Sequence, residues 1–393
     1  TRYSTTGSSL LGNAQPLTVN CAKGQIAIAH NGNLTNAVQL RDTLEAKGSI
    51  FQTTVDSEII LHLLARATNK ELEDDLSECL QLLKGAFNLL FLTEHALIGA
   101  RDPNGFRPLC IGRLNNAYVL SSETCALDLI GAKFVREVEP GEVVVVGPSG
   151  LRSLRPFKQI ETRRSHCLFE HVYFARPDSV VFGESVQGVR VKLGRQLARE
   201  HPVEADLVMP IPDSGNFAAL GYSQESKIPF VLGMTRNHYV GRTFIQPAQA
   251  IRDLKVRVKF NPIREIIKGK RVVIVDDSII RGTTTKARVK SLREVGAKAI
   301  HLRVSCPPTK FSCFYGIDFP TKRELIANRM SLAEIREFLG VESLGYLSPE
   351  GMLKAVGKPA DYCTACWSGT YPIPFGEEGD KFALEKHAGQ GCG

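Results

Sequence analysis

Two adjacent carboxylates, Asp276 and Asp277, stand at the end of a predicted buried strand. Residues 272–275 are four consecutive β-branched apolar residues, a run typical of a strand buried on both faces in a parallel sheet. The residues after the acids are Ser278, Ile279, Ile280, Arg281, Gly282, Thr283 and Thr284. Helical spacing over about 286–297 makes this hydroxyl-rich loop lead into a helix N-terminus, which can bind phosphate. The segment predicts a sugar-phosphate site with a divalent ion, and the alternative is a strand ending in solvated aspartates.

A second polar loop, Pro212-Asp213-Ser214-Gly215, follows a predicted strand over 207–211. Because the carboxyl ends of parallel strands meet at one edge of a sheet, we expect Ser214 to lie near the acid pair. Its hydroxyl could then bind the same ion. A plain β-turn is the alternative.

A third region could supply cations to an anionic substrate. Arg242 lies in residues 236–245, which mix cations, aromatics and glycine in the manner of a loop that folds over a substrate. Lys255, Arg257 and Lys259 alternate, which places three cations on one side of an extended segment. For those three, a solvated charged edge is the alternative.

These segments together resemble the phosphoribosyl pyrophosphate (PRPP) signature of the type I phosphoribosyltransferases. The resemblance implies that PRPP is bound by Asp276, Asp277, Ser278, Arg281, Gly282, Thr283, Thr284, Arg242 and Lys255. It also implies that Ser214, Asp276 and Asp277 share a magnesium ion.

Five short motifs occupy the N-terminal part: Arg2-Tyr3-Ser4-Thr5, His30-Asn31-Gly32, Asp56-Ser57-Glu58, Arg101-Asp102-Pro103-Asn104-Gly105 and Ser121-Ser122-Glu123. Taken singly, the first three predict a surface ion pair, a hairpin turn and a helix N-cap. Taken in this order, they resemble the glutaminase domain of the N-terminal-nucleophile amidotransferases. The resemblance implies that glutamine is bound by Arg2, Thr5 and Asp56. The side chain of Asn31 and the amide of Gly32 would form the oxyanion hole.

The nucleophile of that family is a cysteine that opens the mature chain, whereas this sequence opens with Thr1. We expect the cysteine and its strand to lie upstream, so that the glutaminase part is incomplete here. Thr1 as nucleophile is the alternative. This chain is therefore expected to use ammonia and to release no glutamate from glutamine.

Cys363 and Cys366 have the spacing of metal ligands, and Cys167 and Cys313 are candidates to complete a set of four. Zinc, a redox pair and buried free thiols are the alternatives. The contexts of these cysteines resemble the iron-sulfur branch of the glutamine PRPP amidotransferases. That resemblance implies a 4Fe-4S cluster on Cys167, Cys313, Cys363 and Cys366.

A domain boundary is predicted near residues 147–164, where turn residues and charges cluster. We expect an α+β N-terminal-nucleophile glutaminase sandwich over 1–161, an α/β phosphoribosyltransferase domain with a mainly parallel sheet over 162–370, and a tail over 371–393. Strands are predicted at 26–30, 85–92, 96–100, 143–146, 207–211, 230–232, 272–275 and 299–304. Helices are predicted at 37–45, 59–67, 187–200, 215–223 and 286–297, with a turn at 31–33 and mainly helix after 322.

Charge, cysteine content and hydropathy limit the class of protein to which this sequence can belong. The 393 residues carry a net charge of +8 without a long basic block, which suits anionic small substrates better than nucleic acid. Ten irregularly spaced cysteines do not indicate a secreted disulfide framework. With no long apolar run, we expect a cytoplasmic protein without a membrane span, and any organelle-targeting sequence would lie upstream of residue 1.

The combined resemblance implies a pentosyltransferase (glycosyltransferase) that takes PRPP, glutamine and water to 5-phosphoribosylamine, glutamate and pyrophosphate. This reaction is the first committed step of purine synthesis. The family also implies a homo-oligomer, expected to be a tetramer, and feedback inhibition by purine nucleotides. Two alternatives are a sugar-phosphate amidotransferase that shares only the glutaminase part and a catalytically silent PRPP-binding regulator.

Overall fold

The structure is a computed structural model of the chain. It describes residues 10–69, 71–157, 163–236 and 260–374, together with Leu384.

The N-terminal half is built on an antiparallel sheet of six strands. In chain order the strands of this half are β1 (Leu17–Cys21), β2 (Gly24–Leu34), β3 (Gly85–Leu92), β4 (Leu97–Arg101), β5 (Cys110–Leu114), β6 (Ala117–Ser121), β7 (Lys133–Glu137), β8 (Val143–Gly147) and β9 (Gly150–Leu154). The large sheet has the order β1-β2-β3-β4-β8-β9, and a second sheet has the order β6-β5-β7. The helices are α1 (Ala37–Glu45), α2 (Ser57–Arg66), α3 (Leu72–Leu82) and α4 (Thr124–Leu129).

The valines of β8 show how this half is layered. Val143 and Val145 pack into the core that the large sheet shares with α1, α2 and α3. Val144 points to the opposite face and packs against Leu109 and Ile111 of the small-sheet side. Because successive side chains of a strand alternate between its faces, one run of valines contributes to both cores.

The C-terminal half contains a parallel sheet of four strands. The strands of this half are β10 (His166–Cys167), β11 (Val180–Val181), β12 (Glu184–Ser185), β13 (Leu207–Pro210), β14 (Met234–Arg236), β15 (Phe260–Pro262), β16 (Arg271–Asp276), β17 (Ala299–Val304), β18 (Ser343–Tyr346) and β19 (Tyr362–Cys363). The helices are α5 (Val186–Glu200), α6 (Asn216–Ser226), α7 (Arg264–Ile267), α8 (Thr283–Glu294), α9 (Ile326–Arg329), α10 (Leu332–Leu339), α11 (Pro349–Leu353) and α12 (Ala365–Ser368). A π-helical turn spans Glu170–Phe174, and short 3-10 turns span Leu11–Asn13, Lys322–Glu324 and Pro359–Asp361.

The parallel sheet has the order β13-β16-β17-β18, and every pairing within it is parallel. Residues 272–275 of β16 are all fully buried, so both faces of this central strand are covered. Helix α6 packs on β13 and β16 and against α5, while α8 packs against α10. The predicted parallel sheet is confirmed, and its central strand is the one that carries the acid pair.

Two local predictions are wrong. Residues 31–33 form no turn, because β2 continues through them and pairs with β3. The predicted strand at 230–232 is reduced to one isolated bridge between Phe230 and Val208. Helical segments do dominate after residue 322, where β18 also adds an edge strand to the parallel sheet.

Among the helices that the structure describes, none is both long enough and apolar enough to cross a membrane.

Candidate functional site

Asp276 and Asp277 lie at the carboxyl end of β16 and are both almost completely buried. The amide of Asp277 donates to Asp276 Oδ1 over 3.1 Å, and Arg288 Nη1 lies 3.5 Å from Asp276 Oδ2. Burial, and after it the charge of Asp277, raises the pKa of Asp276 to about 7. A neighbouring negative charge disfavours ionisation of a buried carboxyl group, and a cation at this position would offset that effect.

The loop after the acids ends at Gly282, whose φ of +77° suits glycine and which precedes the first residue of α8. Helix α8 begins at Thr283, three residues earlier than predicted, so Thr283 and Thr284 are exposed residues of its first turn. The hydroxyl of Ser278 donates to Asp277 Oδ2. These amides and hydroxyls lie beside the acid pair, as the sequence predicted.

Arg281, a predicted PRPP ligand, forms an ion pair with Glu324 in the structure. Its Nε and Nη2 donate to Glu324 Oε1 over 3.0 and 2.8 Å, in an ion pair that is about half exposed. An exposed pair of this kind contributes little to stability, about 0–1 kcal/mol, so a substrate phosphate could compete for the guanidinium.

The Pro212-Asp213-Ser214-Gly215 loop lies at the same edge of the sheet as the acids. The amide of Ile211 donates to the carbonyl of Val275, one residue before Asp276, over 2.8 Å. A methyl group on Gly215 would lie 2.4 Å from the same carbonyl oxygen, so only glycine allows this approach. Ser214 is half-buried beside this contact. The structure thus brings the Ser214 loop and the acid pair together.

Four of the predicted ligands lie outside the described residues: Arg2, Thr5, Arg242 and Lys255.

Asn31 and Gly32 lie within β2, where they pair with Asn88 and Phe87 of β3. Asn31 Nδ2 donates to the hydroxyl of Ser122 over 3.3 Å. A methyl group on Gly32 would lie 2.1 Å from the carbonyl oxygen of Ala86, which requires glycine there. The predicted oxyanion-hole groups are therefore held by a sheet rather than by a flexible turn.

Asp56 is buried at the start of α2, but its side chain does not cap that helix. Its Oδ2 accepts from the amide of Leu34 over 3.0 Å, and its Oδ1 lies 3.1 Å from His30 Nδ1. The carboxylate therefore contacts both sides of the Asn31-Gly32 segment of β2, which places it with the oxyanion-hole candidates.

The four candidate cluster ligands all line one small cavity: Cys167, Cys313, Cys363 and Cys366. Strand β10 pairs in parallel with β19, with Cys167 opposite Cys363. The other lining residues are Phe106, Phe169, Tyr315, Ile317, Phe319 and Ala365. The structure therefore assembles the predicted thiols from three segments that are far apart in sequence.

The environment of these thiols is apolar. The rings of Phe106 and Tyr315 stack with centroids 4.2 Å apart. Burial raises the pKa of all four thiols, that of Cys363 to about 12. Within the described ranges, no three His, Cys, Asp or Glu side chains are arranged to hold one common metal ion.

A hydrogen bond joins the loop that carries Cys313 to the strand that carries the candidate oxyanion hole. Asn33, two residues after Asn31, donates from Nδ2 to the carbonyl of Phe314 over 3.0 Å. Phe314 is adjacent to Cys313. The loop that carries one cavity thiol therefore packs against the strand that carries the oxyanion-hole candidates.

Sequence reasoning missed one residue of these sites. Arg288 approaches the acid pair from α8, five residues after the helix begins at Thr283. Its helical position was a usable signal, since residues 284 and 288 are one turn apart. Ser122, which contacts Asn31, belongs to a motif of the glutaminase resemblance, but the sequence assigned it no contact.

Comparisons with known proteins cover both halves of the chain. Residues 2–129 match the family model described as "Glutamine amidotransferase domain", and residues 191–323 match the one described as "Phosphoribosyl transferase domain".

Curated relatives match across nearly the whole chain. "Amidophosphoribosyltransferase, chloroplastic" of Glycine max is 50% identical over 375 residues, which are 95% of this chain and 66% of that protein. "Amidophosphoribosyltransferase" of Bacillus subtilis (strain 168) is 48% identical over 377 residues, which are 94% of this chain and 79% of the relative. The chain thus spans about two thirds of the length of the soybean protein.

Two solved structures are similar in fold. One is glutamine PRPP amidotransferase from B. subtilis complexed with ADP and GMP, with a TM-score of 0.89 and 47% identity, covering 95% of this chain and 83% of that one. The other is described as the allosteric regulatory enzyme of purine biosynthesis, with a TM-score of 0.90 and 47% identity, covering 96% and 82%. The predicted fold classes of both halves are confirmed.

Proposed function

Since this chain belongs to the amidophosphoribosyltransferase family, we propose that it transfers nitrogen to PRPP. The reaction takes PRPP, glutamine and water to 5-phosphoribosylamine, glutamate and pyrophosphate. Ammonia released in the glutaminase half displaces pyrophosphate at C1 of the ribose. This pentosyl transfer is the first committed step of purine synthesis.

One observation carries the proposal: the buried acid pair Asp276–Asp277 lies beside the Ser214 loop and the N-terminus of α8. The helix N-terminus and the hydroxyls of Thr283 and Thr284 would hold the 5'-phosphate. The carboxylates would accept hydrogen bonds from the ribose hydroxyls. By sequence, Arg242 and Lys255 are proposed to bind the pyrophosphate group.

Magnesium fits this edge of the sheet. Asp276, Asp277 and Ser214 offer only oxygen atoms, which magnesium prefers. Burial, and after it the charge of Asp277, raises the pKa of Asp276, and a divalent cation would favour its ionised form. When bound, the ion would neutralise charge that develops on the departing pyrophosphate.

The glutaminase half is proposed to bind glutamine next to Asn31 and Gly32. The amide of Gly32 and Nδ2 of Asn31 would donate to the oxyanion formed from the substrate carboxamide. Asp56 would accept from the α-ammonium group, while Arg2 and Thr5 would bind the rest of the amino acid.

We also propose a 4Fe-4S cluster on Cys167, Cys313, Cys363 and Cys366. Each iron of such a cluster takes one thiolate, so its four ligands surround a cavity rather than converge on one ion. The four thiols line one apolar cavity, which supports this arrangement. Binding to iron would offset the burial that disfavours the thiolates.

Purine nucleotides are proposed as feedback inhibitors, since a purine nucleotide presents the same ribose and 5'-phosphate as PRPP. The similar B. subtilis enzyme is complexed with ADP and GMP, which supports this proposal. A homo-oligomer, expected to be a tetramer, is proposed from the family alone.

The test uses ammonia as nitrogen donor, because that reaction does not need the glutaminase thiol. The purified chain should release pyrophosphate from PRPP in the presence of magnesium and ammonia. Asp277→Asn should reduce turnover at least tenfold and weaken PRPP binding. The matched control is Asp206→Asn, which removes an acid that pairs with Arg271 at the opposite end of the same strands.

Two results would contradict the proposal. Equal turnover in Asp277→Asn and Asp206→Asn would remove the acid pair from the reaction. Magnesium-dependent binding of PRPP without release of pyrophosphate would instead identify a silent PRPP-binding regulator.

A further inference from the structure

Arg288 is a largely buried cation in direct contact with the acid pair. Its side chain is 15% exposed, and its Nη1 lies 3.5 Å from Oδ2 of Asp276, whose side chain is 4% exposed. Among the described residues, no other lysine, arginine or histidine forms an ion pair with Asp276 or Asp277. Arg288 therefore supplies the positive charge that the described residues bring to this carboxylate.

Two contacts hold the guanidinium of Arg288 in this position. Its carbon lies 5.0 Å from the centre of the Phe260 ring, and its Nε is buried. Phe260 is opposite Arg236 in the pairing of β15 with β14, and Arg236 forms an ion pair with Asp213 of the Ser214 loop. Because a carboxylate and an aromatic ring both attract a guanidinium, the side chain is a fixed charge of the site.

Both carboxylate oxygens of Asp276 already face a donor of the protein. Oδ1 accepts from the amide of Asp277 over 3.1 Å, and Oδ2 faces Arg288. A magnesium bond of about 2.1 Å added to the 3.5 Å contact would place an ion on Oδ2 no more than about 5.6 Å from Nη1. Two positive charges at that separation repel each other, and they do so more strongly in a buried site than in water.

The same charge would act in the opposite sense on PRPP. The proposed phosphate site is the first turn of α8, and Arg288 follows Thr284 by one helical turn, so both residues lie on the same side of the helix. PRPP is a polyanion, and two buried carboxylates beside its ribose would repel it. A guanidinium on one of these carboxylates offsets part of that repulsion.

We infer that Arg288 is a built-in counter-charge of the acid pair, which weakens the binding of a free divalent cation and strengthens the binding of PRPP. This inference rests on the proposed PRPP and magnesium site. Its consequence is that the acid pair holds a divalent cation poorly until PRPP supplies further oxygen ligands and negative charge. Arg288 is a positioning residue, because it acts through Asp276 and no bond to it forms or breaks.

The experiment measures the two affinities separately, with Mn²⁺ as the divalent probe because it suits the same oxygen ligands as magnesium. Free Mn²⁺ is counted by electron paramagnetic resonance without PRPP, and PRPP binding is measured by equilibrium dialysis in the presence of a chelator. Arg288→Gln should bind Mn²⁺ about tenfold more tightly than the unmodified chain and PRPP several-fold more weakly. A loss of packing would instead weaken both.

Arg293→Gln is the matched control, because it removes the same charge from the same helix but from an ion pair with Glu342. Both of its affinities should equal those of the unmodified chain. Arg288→Lys keeps the charge and should stay closer to the unmodified chain than Arg288→Gln does. Arg288→Met removes the charge but keeps an unbranched apolar side chain, and it carries the same test if Arg288→Gln does not fold.

Asp277→Asn separates this inference from the proposed site. If that variant binds Mn²⁺ in the presence of PRPP as tightly as the unmodified chain does, the acid pair is not the metal site, and the role of Arg288 fails with it. If Asp277→Asn loses affinity but Arg288→Gln matches Arg293→Gln, the site stands and the inference is wrong. A loss of both affinities in Arg288→Gln and Arg288→Met also overturns the inference, because it shows a structural role only.

Discussion

Gly316 packs directly on Gly32: a methyl group at position 316 would lie 2.9 Å from the Cα of Gly32. Gly316 has a φ of +94° and lies three residues after Cys313. Gly32 carries the amide proposed for the oxyanion hole. The loop of one candidate cluster ligand and the strand of the glutaminase site are therefore in contact without any intervening side chain.

We predict that Gly316→Ala destabilises the protein by about 2–5 kcal/mol. The left-handed backbone contributes about 1–2 kcal/mol of this and the clash with Gly32 about 1–3 kcal/mol. Gly340→Ala is the matched control, because Gly340 has a φ of +70° but nothing within 4 Å of the added methyl group. In chemical unfolding, the free energy of unfolding of Gly340→Ala should fall only by the contribution of the left-handed backbone. Equal losses in the two variants would mean that the contact with Gly32 is unimportant.

Two glycines on α5 give a second prediction. A methyl group on Gly194 would lie 1.9 Å from the carbonyl oxygen of Ala218 on α6, whereas one on Gly188 would have no contact shorter than 3.5 Å. Gly194→Ala should therefore destabilise the protein by at least about 1–3 kcal/mol, because the two helices must separate. Gly188→Ala should gain up to about 1 kcal/mol from helix propensity. Midpoints of urea unfolding measure both, and a neutral Gly194→Ala would contradict the close packing of α5 on α6.

The central strand of the parallel sheet is predictable from sequence because four β-branched residues at 272–275 suit few environments other than a buried strand. The structure extends that strand by one residue at each end. The same local reasoning failed at Asn31-Gly32, where a common turn dipeptide continues as a strand. Pairing with β3 and the close approach of Ala86 decide its conformation, and both come from a distant part of the chain.

The candidate sites, like the fold, were predictable from sequence only where local residue types decide the structure. The identities of Asp276, Asp277 and the four cysteines could be read from motifs, since chemistry restricts the residue types there. The position of Arg288 could not, because its role depends on which side chains the fold brings beside it. Burial and unpaired donors are properties of the folded chain alone.

Glu142 should give the protein a measurable acid sensitivity. Burial would raise the pKa of this carboxyl, but hydrogen bonds from Arg136, Ser153 and the amide of Glu139 lower it from 4.5 to about 2. A lowered pKa in the folded state stabilises the protein above pH 4.5, and this stabilisation, about 3 kcal/mol, is lost as the pH falls from 4.5 towards 2.

We therefore expect Glu142→Gln to be less stable than the unmodified chain at pH 7, with the difference shrinking towards pH 2. Glu139→Gln is the control, since that side chain is about half exposed and pairs with an equally exposed Arg164. Urea unfolding across this pH range measures both variants. A difference for Glu142→Gln that does not change with pH would show that the loss is steric rather than ionic.

Cys366→Ser should remove iron and lower stability while altering PRPP binding little, because the cysteine cavity is formed by segments other than the acid-pair loop. Cys79→Ser is the matched control, since Cys79 is a buried thiol in the core of the N-terminal half. That variant should keep its iron. Metal analysis that finds zinc alone in the unmodified chain would contradict the cluster.

The pairing of β10 with β19 also constrains when the proposed cluster could be bound during synthesis. A ribosome releases Cys167 well before Cys363 and Cys366, and the N-terminal part of a chain generally folds first. Until the last of these segments emerges, Cys167 lacks its strand partner, and neither Cys167 nor Cys313 has the other two thiols beside it. Delivery of iron to the proposed site would therefore follow translation of nearly all the described chain, and a polypeptide interrupted before Cys363 would lack half of the four thiols.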